Sequence, residues 1–196
     1  MKNDIQDNNS EQLTLWRKLL EESYRLREEE LQNEFNRSLP FQDAMFDRWE
    51  RARGLGFGEG SSIYNSAIVY GNVKVGRETW IGPYVILDGS GAELVIGSTC
   101  SIAAGVHIFT HNTVLWALSG GKKKPDTQPV RIGDCCYIGS QTVIASGVSI
   151  DSCCVVAANS FVRSNVPPNT IVGGVPAKPI GRVIFDNSEP RLVFDD

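Results

Sequence analysis

VRIGDCCYIGSQTVIASGVSIDSCCVVAANSFV, residues 130–162, places an aliphatic residue at every sixth position: Ile132, Ile138, Ile144, Ile150, Val156 and Val162. The same step runs back through Ile108, Ile102 and Ile96, and again through Leu87, Ile81, Val75, Val69 and Ile63. All fourteen positions are Ile, Val or Leu, the regularity of an internal repeat. Two residues ahead of each stands a small or medium side chain, as at Val130, Cys136, Thr142, Val148, Cys154 and Ser160. Strand side chains alternate faces, so residues two apart point the same way. Each six-residue unit therefore provides one short strand with two inward groups, and then a corner. Gly76, Gly82, Gly97, Gly133 and Gly139 directly follow the aliphatic position, where a bend favours a residue without Cβ. Three units make a triangular coil, and coils stack through parallel strand hydrogen bonds about 4.8 Å apart. The expected fold is an all-β solenoid.

This register explains the cysteines. Cys100, Cys136 and Cys154 fall on one face in consecutive coils, pointing inward, which reads as a packed column of buried thiols. Cys135 and Cys153 stack outside the same face, at a Cα spacing that would permit a bridge. With no CxxC pair and no secretory leader in MKNDIQDNNS, a cytoplasmic, reducing compartment with free thiols is expected. No stretch approaches the roughly 20 apolar residues of a membrane span. The net charge of −4 lacks the basic excess of a nucleic-acid binder.

Ahead of the repeat, residues 11–37 mix dense charge with Leu13, Trp16, Leu20, Leu31 and Phe35, the pattern of an exposed amphipathic helix. A second helix is expected over Phe41–Arg53, stopped at Gly54. The chain thus divides into a helical extension over 1–54 that caps the stack, a repeat domain over 55–181, and a tail over 182–196.

The repeat breaks twice. Between Leu87 and Ile96 the step is nine, so DGSGAE adds a three-residue corner bulge, read as minor. Between Ile108 and Ile132 the step is 24, and a loop over 109–129 must leave the scaffold. A long excursion from a rigid frame is the usual place for function. The chain's two histidines, His107 and His111, both sit at the root of this loop. Histidine can take a proton from an attacking hydroxyl or amine near neutral pH. His111, at the corner where the loop begins, is the candidate general base. His107, between two inward positions, faces outward from a wall and suits a supporting role. Lys122, Lys123 and Lys124 on the loop read as solvated, and Trp116 and Leu118 as packing against an adjacent subunit.

From about Trp49 to Gly181, and most specifically in VHIFTHNTVLWALSGGK, PVRIGDCCYIGSQTVIASGVSI and VPPNTIVGGVPAKPIG, the chain resembles the bacterial hexapeptide-repeat sugar acetyltransferases. These include the galactoside and maltose enzymes and those of surface-polysaccharide biosynthesis. The resemblance implies left-handed crossovers, against the right-handed rule for parallel connections, and hence a left-handed parallel β-helix. It also implies transfer of an acetyl group from acetyl-CoA to a sugar or nucleotide-sugar, without metal, by a homotrimer whose sites lie between subunits. The family's loop histidine matches His111. Relatives often carry Asp after it, where this chain has Asn112, so a possible carboxylate partner is replaced by an amide. Backbone contacts to the pantetheine arm match Ser140 and Ala158, at equivalent corners one coil apart, and Lys178 with Arg182 would face the nucleotide phosphates. His111 follows the second face of a coil, whereas Ser140 and Ala158 follow the first. A site using both therefore needs a neighbouring protomer. Two alternatives use the same fold: a carbonic-anhydrase-like zinc enzyme, which needs three histidines per site, and a non-catalytic scaffold.

Overall fold

The computed structural model describes residues 2–195, with side chains from Ser10 onward. The chain divides into two compact units between Asp47 and Arg48.

In the first unit, helix α1 spans Lys2–Phe35 and α2 spans Phe41–Met45. Exposed ion pairs one turn apart, Arg17–Glu21 at 3.4 Å and Arg25–Glu22 at 2.7 Å, line α1 and add a few tenths of a kcal/mol each. The chain beyond α1 folds back onto Tyr24, whose hydroxyl donates to the Leu39 carbonyl at 2.7 Å and whose ring lies 5.6 Å from that of Phe41. Arg27 Nε donates to the Ala44 carbonyl, 3.1 Å away. Among the described residues no helix is long and apolar enough to cross a membrane.

The single helix expected over 41–53 is two. Phe46 adopts an extended backbone (φ −117°, ψ 135°), and α3 begins afresh at Arg48 and runs to Gly54. It ends at Gly54 as expected, and the left-handed residue that closes it lies two positions further on. Gly56, at φ +74°, donates to the Arg53 carbonyl, and Phe57 to that of Ala52, each at 3.0 Å. This is a Schellman end, with Phe57 packed on Ala52 as the motif requires, both buried.

The rest of the second unit is three stacks of short parallel strands. Eighteen-residue registers hold where the repeat is unbroken: Ile63 pairs with Ile81, Ile138 with Val156 and Ile144 with Val162. The bulge shifts the next pairing to Ile81–Ile102, and the loop shifts the one after it to Ile102–Ile138. The first stack carries Ile63, Ile81, Ile102, Ile138, Val156 and Val172. The second carries Val69, Leu87, Ile108, Ile144 and Val162. The third carries Val75, Ile96, Ile132 and Ile150. Apart from Val69, every one of these is buried in a single core, at about 1.5–3 kcal/mol per buried side chain.

The corner glycines have a different cause from the one expected. The left-handed φ falls two residues later, on Glu78, Tyr84, Thr99, Cys135 and Gln141, near +55° to +60°. At Gly76, Gly97 and Gly139 a Cβ would lie 2.5–2.7 Å or less from atoms of the adjoining coil. These residues are glycine because the coils touch there. The cysteine column is buried, and each thiol donates to a carbonyl of the next corner at 3.1 Å: Cys100 to Gly133, Cys136 to Asp151 and Cys154 to Pro167. Hydrogen bonds to the flanking thiols of Cys100 and Cys154, and then burial, push the Cys136 thiol far up. All five cysteines are free.

The stack does not fray into a tail. The strand Thr170–Gly174 reverses through a turn containing a cis Val175–Pro176 bond into Ala177–Asp186, which pairs antiparallel with it and with Glu189–Phe194.

Candidate functional site

Residues 107–109 form a strand of the second stack, paired with Ile86–Asp88 below and Val143–Ile144 above. Beyond it the chain departs through a narrow neck. His111 pairs with Thr127 and Asn112 with Asp126, and the Gln128 N–H donates to the Thr110 carbonyl at 2.9 Å. Between the two sides of the neck lies a short helix, α4 (Val114–Leu118), none of whose residues is buried. The Asn112 side chain starts it: its oxygen accepts from the Val114 N–H at 3.2 Å, while its Nδ2 donates to Asp126 Oδ2 at 3.3 Å. Asn112 thus holds the loop and makes no hydrogen bond to the imidazole.

A carboxylate nevertheless faces His111, and it comes from Asp88, the paired residue from which the bulge departs. His111 Nδ1 is buried, 3.4 Å from Asp88 Oδ2, close enough for attraction but without a hydrogen bond. Asp88 is 6% exposed. Its other oxygen, Oδ1, accepts from both the N–H and the hydroxyl of Ser90, at 3.0 and 2.5 Å, an Asx turn. This leaves Oδ2 to the imidazole. A carboxylate beside Nδ1 favours the tautomer with the proton there, and so turns Nε2 into the proton acceptor. The bulge read as minor therefore begins at the carboxylate that faces the imidazole. The signal was present: Asp88 follows Leu87, which stacks directly beneath Ile108.

His111 and Asn112 line a groove of about 550 Å³ with Phe109, Leu115, Asp126 and Phe161. Two aromatic rings and aliphatic groups line it together with the Asp126 carboxylate and the His111 imidazole, whereas Asp88 lies behind His111 and outside the groove. His107 does not line it; its ring meets that of Phe109 edge-on at 6.0 Å.

Ser140 and Ala158 lie in register on the corner after the first stack, outside this groove. Lys178, opposite Gly173, sits at the same margin. Arg182 does not. It pairs with Thr170 at the start of that strand, four residues and a bulge away, roughly 13 Å at 3.3 Å per residue. The antiparallel return of the chain, invisible in the repeat, separates the two cations. Among the described residues no three His, Cys, Asp or Glu side chains gather to hold a metal ion.

Residues 129–164 match the family described as bacterial transferase hexapeptide (six repeats). Serine acetyltransferase 2 of Arabidopsis thaliana is 36% identical over 58% of this chain and 33% of its own length. The chain thus spans about a third of the plant serine acetyltransferases that it matches. WbbJ of Escherichia coli K12, provisionally assigned as a lipopolysaccharide biosynthesis O-acetyl transferase, is 30% identical over 71% of this chain and 74% of its own. Among solved structures, the hexapeptide-repeat acetyltransferase VCA0836 of Vibrio cholerae is 32% identical, covers 82% of this chain and 91% of that one, and superposes with a TM-score of 0.63. The same protein has been solved with acetyl coenzyme A, where the TM-score is 0.52 over 82% of this chain and 87% of that one, at 28% identity. Parallel strand stacks and a six-residue aliphatic ladder accord with this repeat, and the chain belongs to the bacterial hexapeptide-repeat acetyltransferase family.

Proposed function

We propose that the protein transfers the acetyl group of acetyl-CoA to a hydroxyl or amino group of a sugar or nucleotide-sugar, in surface-polysaccharide biosynthesis, as a homotrimer built on a closed left-handed β-helix. The observation that carries this reading is His111, which lines an aromatic-walled groove and is backed by the buried carboxylate of Asp88. His111 Nε2 takes the acceptor proton as the acceptor's oxygen or nitrogen attacks the thioester carbonyl carbon. The adjacent Asp88 carboxylate stabilises the imidazolium that forms. The C–S bond breaks, and the imidazolium returns its proton to the departing sulfur. The products are the acetylated acceptor and coenzyme A thiol, with no covalent enzyme intermediate.

The corner of Ser140 and Ala158 suits the pantetheine arm. Their backbone N–H groups have no acceptor among the chain's described hydrogen bonds, and short side chains leave them reachable. Lys178 is the nearer cation for the phosphates, and Arg182 stands apart on the hairpin. Because groove and corner lie on different edges, the site is completed by a second protomer.

Replacing His111 by Ala should lower thiol release from acetyl-CoA by about 10²–10⁴-fold against a panel of sugars and nucleotide-sugars. Activity close to wild type would refute the assignment. The likeness to plant serine acetyltransferases supports one further acceptor, the serine hydroxyl, and serine belongs in the same panel.

A further inference from the structure

Thr110 is fully buried beside the base, and its own chemistry has no part in the proton transfer. Its hydroxyl donates to the Asp88 carbonyl at 2.8 Å and accepts from the N–H groups of Gly91 and Ala92, at 3.2 and 3.1 Å. Its backbone N–H also donates to the Asp88 carbonyl, at 3.1 Å, and its carbonyl accepts from Gln128 across the neck. One side chain therefore ties together the strand end that bears Asp88, the far side of the bulge, and the root from which His111 projects. Gly91 fits the same joint: a Cβ there would stand 2.6 Å from His111 Cβ and 2.9 Å from the Thr110 carbonyl oxygen.

We infer that Thr110 is a positioning residue, whose hydroxyl fixes the bulge in the one register that sets Asp88 Oδ2 against His111 Nδ1. The coil below holds the start of the bulge through the Tyr70–Asp88 and Gly71–Gly89 pairs, whereas strand pairing with the coil above ends at Asp88. From the coil above, the Thr110 hydroxyl spans it, bonding the Asp88 carbonyl on one side and the Gly91 and Ala92 N–H groups on the other. For activity this rests on His111 being the base; for geometry it does not.

The experiment is designed to separate the two. In the full chain labelled with ¹³C-histidine, the ring Cε1–Hε1 resonance of His111 is assigned by its loss in His111→Gln. Thr110→Val should move that resonance towards its position in Asp88→Asn and reduce thiol release by about 10²-fold, the cost of a misplacement near 1 Å. Thr110→Ser, which keeps the hydroxyl, should restore both. Thr79→Val is the control for a lost buried hydroxyl elsewhere, since Thr79 donates to the Gly97 carbonyl at 2.9 Å in another stack; it should leave the resonance in place. Should Thr110→Val fail to fold, Gly91→Ala tests the same joint and should also move the resonance. An unmoved resonance in folded Thr110→Val or Gly91→Ala, or an equal movement in Thr79→Val, would overturn the inference. Full activity in His111→Ala would instead sink the base assignment and leave the coupling between Thr110 and the ring standing.

Discussion

The two interruptions of the repeat differ sixfold in length and meet at one point. The loop over 109–129 leaves the scaffold, exposes most of its side chains and delivers the imidazole. The bulge over 88–93 stays on the scaffold, buries Asp88 and delivers the carboxylate. The bulge is held from below as well: a Cβ on Gly71 would lie 2.4 Å from the Gly89 carbonyl oxygen, so its floor is backbone against backbone. Length marks the excursion, whereas chemistry depends on what is held still. In a stacked fold a group at the last in-register position of one coil, Asp88 opposite Phe109, can meet a group from the next coil as closely as a sequence neighbour would.

If the bulge and the loop are equal partners, Asp88→Asn, nearly isosteric but uncharged, should lower kcat by about 10²-fold, with little change in KM for acetyl-CoA and none in the melting temperature beyond about 1 kcal/mol of stability. A wild-type kcat would break the comparison and return all the chemistry to the loop. A smaller effect is expected at Asn112. Asn112→Ala removes the hydrogen bond to Val114 N–H that begins α4 and the contact to Asp126; it should loosen the loop by about 1 kcal/mol, raising KM more than it lowers kcat in steady-state assays. Least of all, replacing Lys122, Lys123 and Lys124 together by Ala should leave kcat within about twofold, as exposed charges away from the groove contribute little; a large loss would assign the loop tip a role in holding phosphate.

The cysteines test the scaffold instead of its interruptions. Cys135 is exposed and Cys153 half-buried, whereas Cys100, Cys136 and Cys154 are buried. An aromatic disulfide reagent should therefore titrate two thiols in the native protein and five after denaturation. Cys153 should react second, because burial and then the neighbouring Cys135 sulfur push its thiol up. Rapid reaction of a third thiol would contradict the packed column.

The ladder, its three stacks, the buried thiols and the loop root were legible from spacing alone, because a six-residue period with Ile, Val or Leu at each step has one economical burial. Asp88 was passed over because it lies 23 residues before His111 in sequence and is its neighbour only through stacking. The corner glycines were legible as special, but their reason was not: contact between coils depends on the backbone one turn away. The hairpin over 177–194 carries no repeat, so nothing in the period could tell that Lys178 and Arg182 would end at opposite margins. The break at Phe46 likewise interrupts a stripe whose apolar spacing reads as continuous.

That hairpin has a consequence for how copies of the chain can meet. The strand Thr170–Gly174 would otherwise offer the first stack's free parallel edge, an open invitation to indefinite end-on growth. By laying Ala177–Asp186 against it, and Glu189–Phe194 against that strand in turn, the chain covers this edge with its own backbone. The ladder's hydrogen-bonding groups on that strand are spent within one chain, which is how a natural sheet blunts an edge.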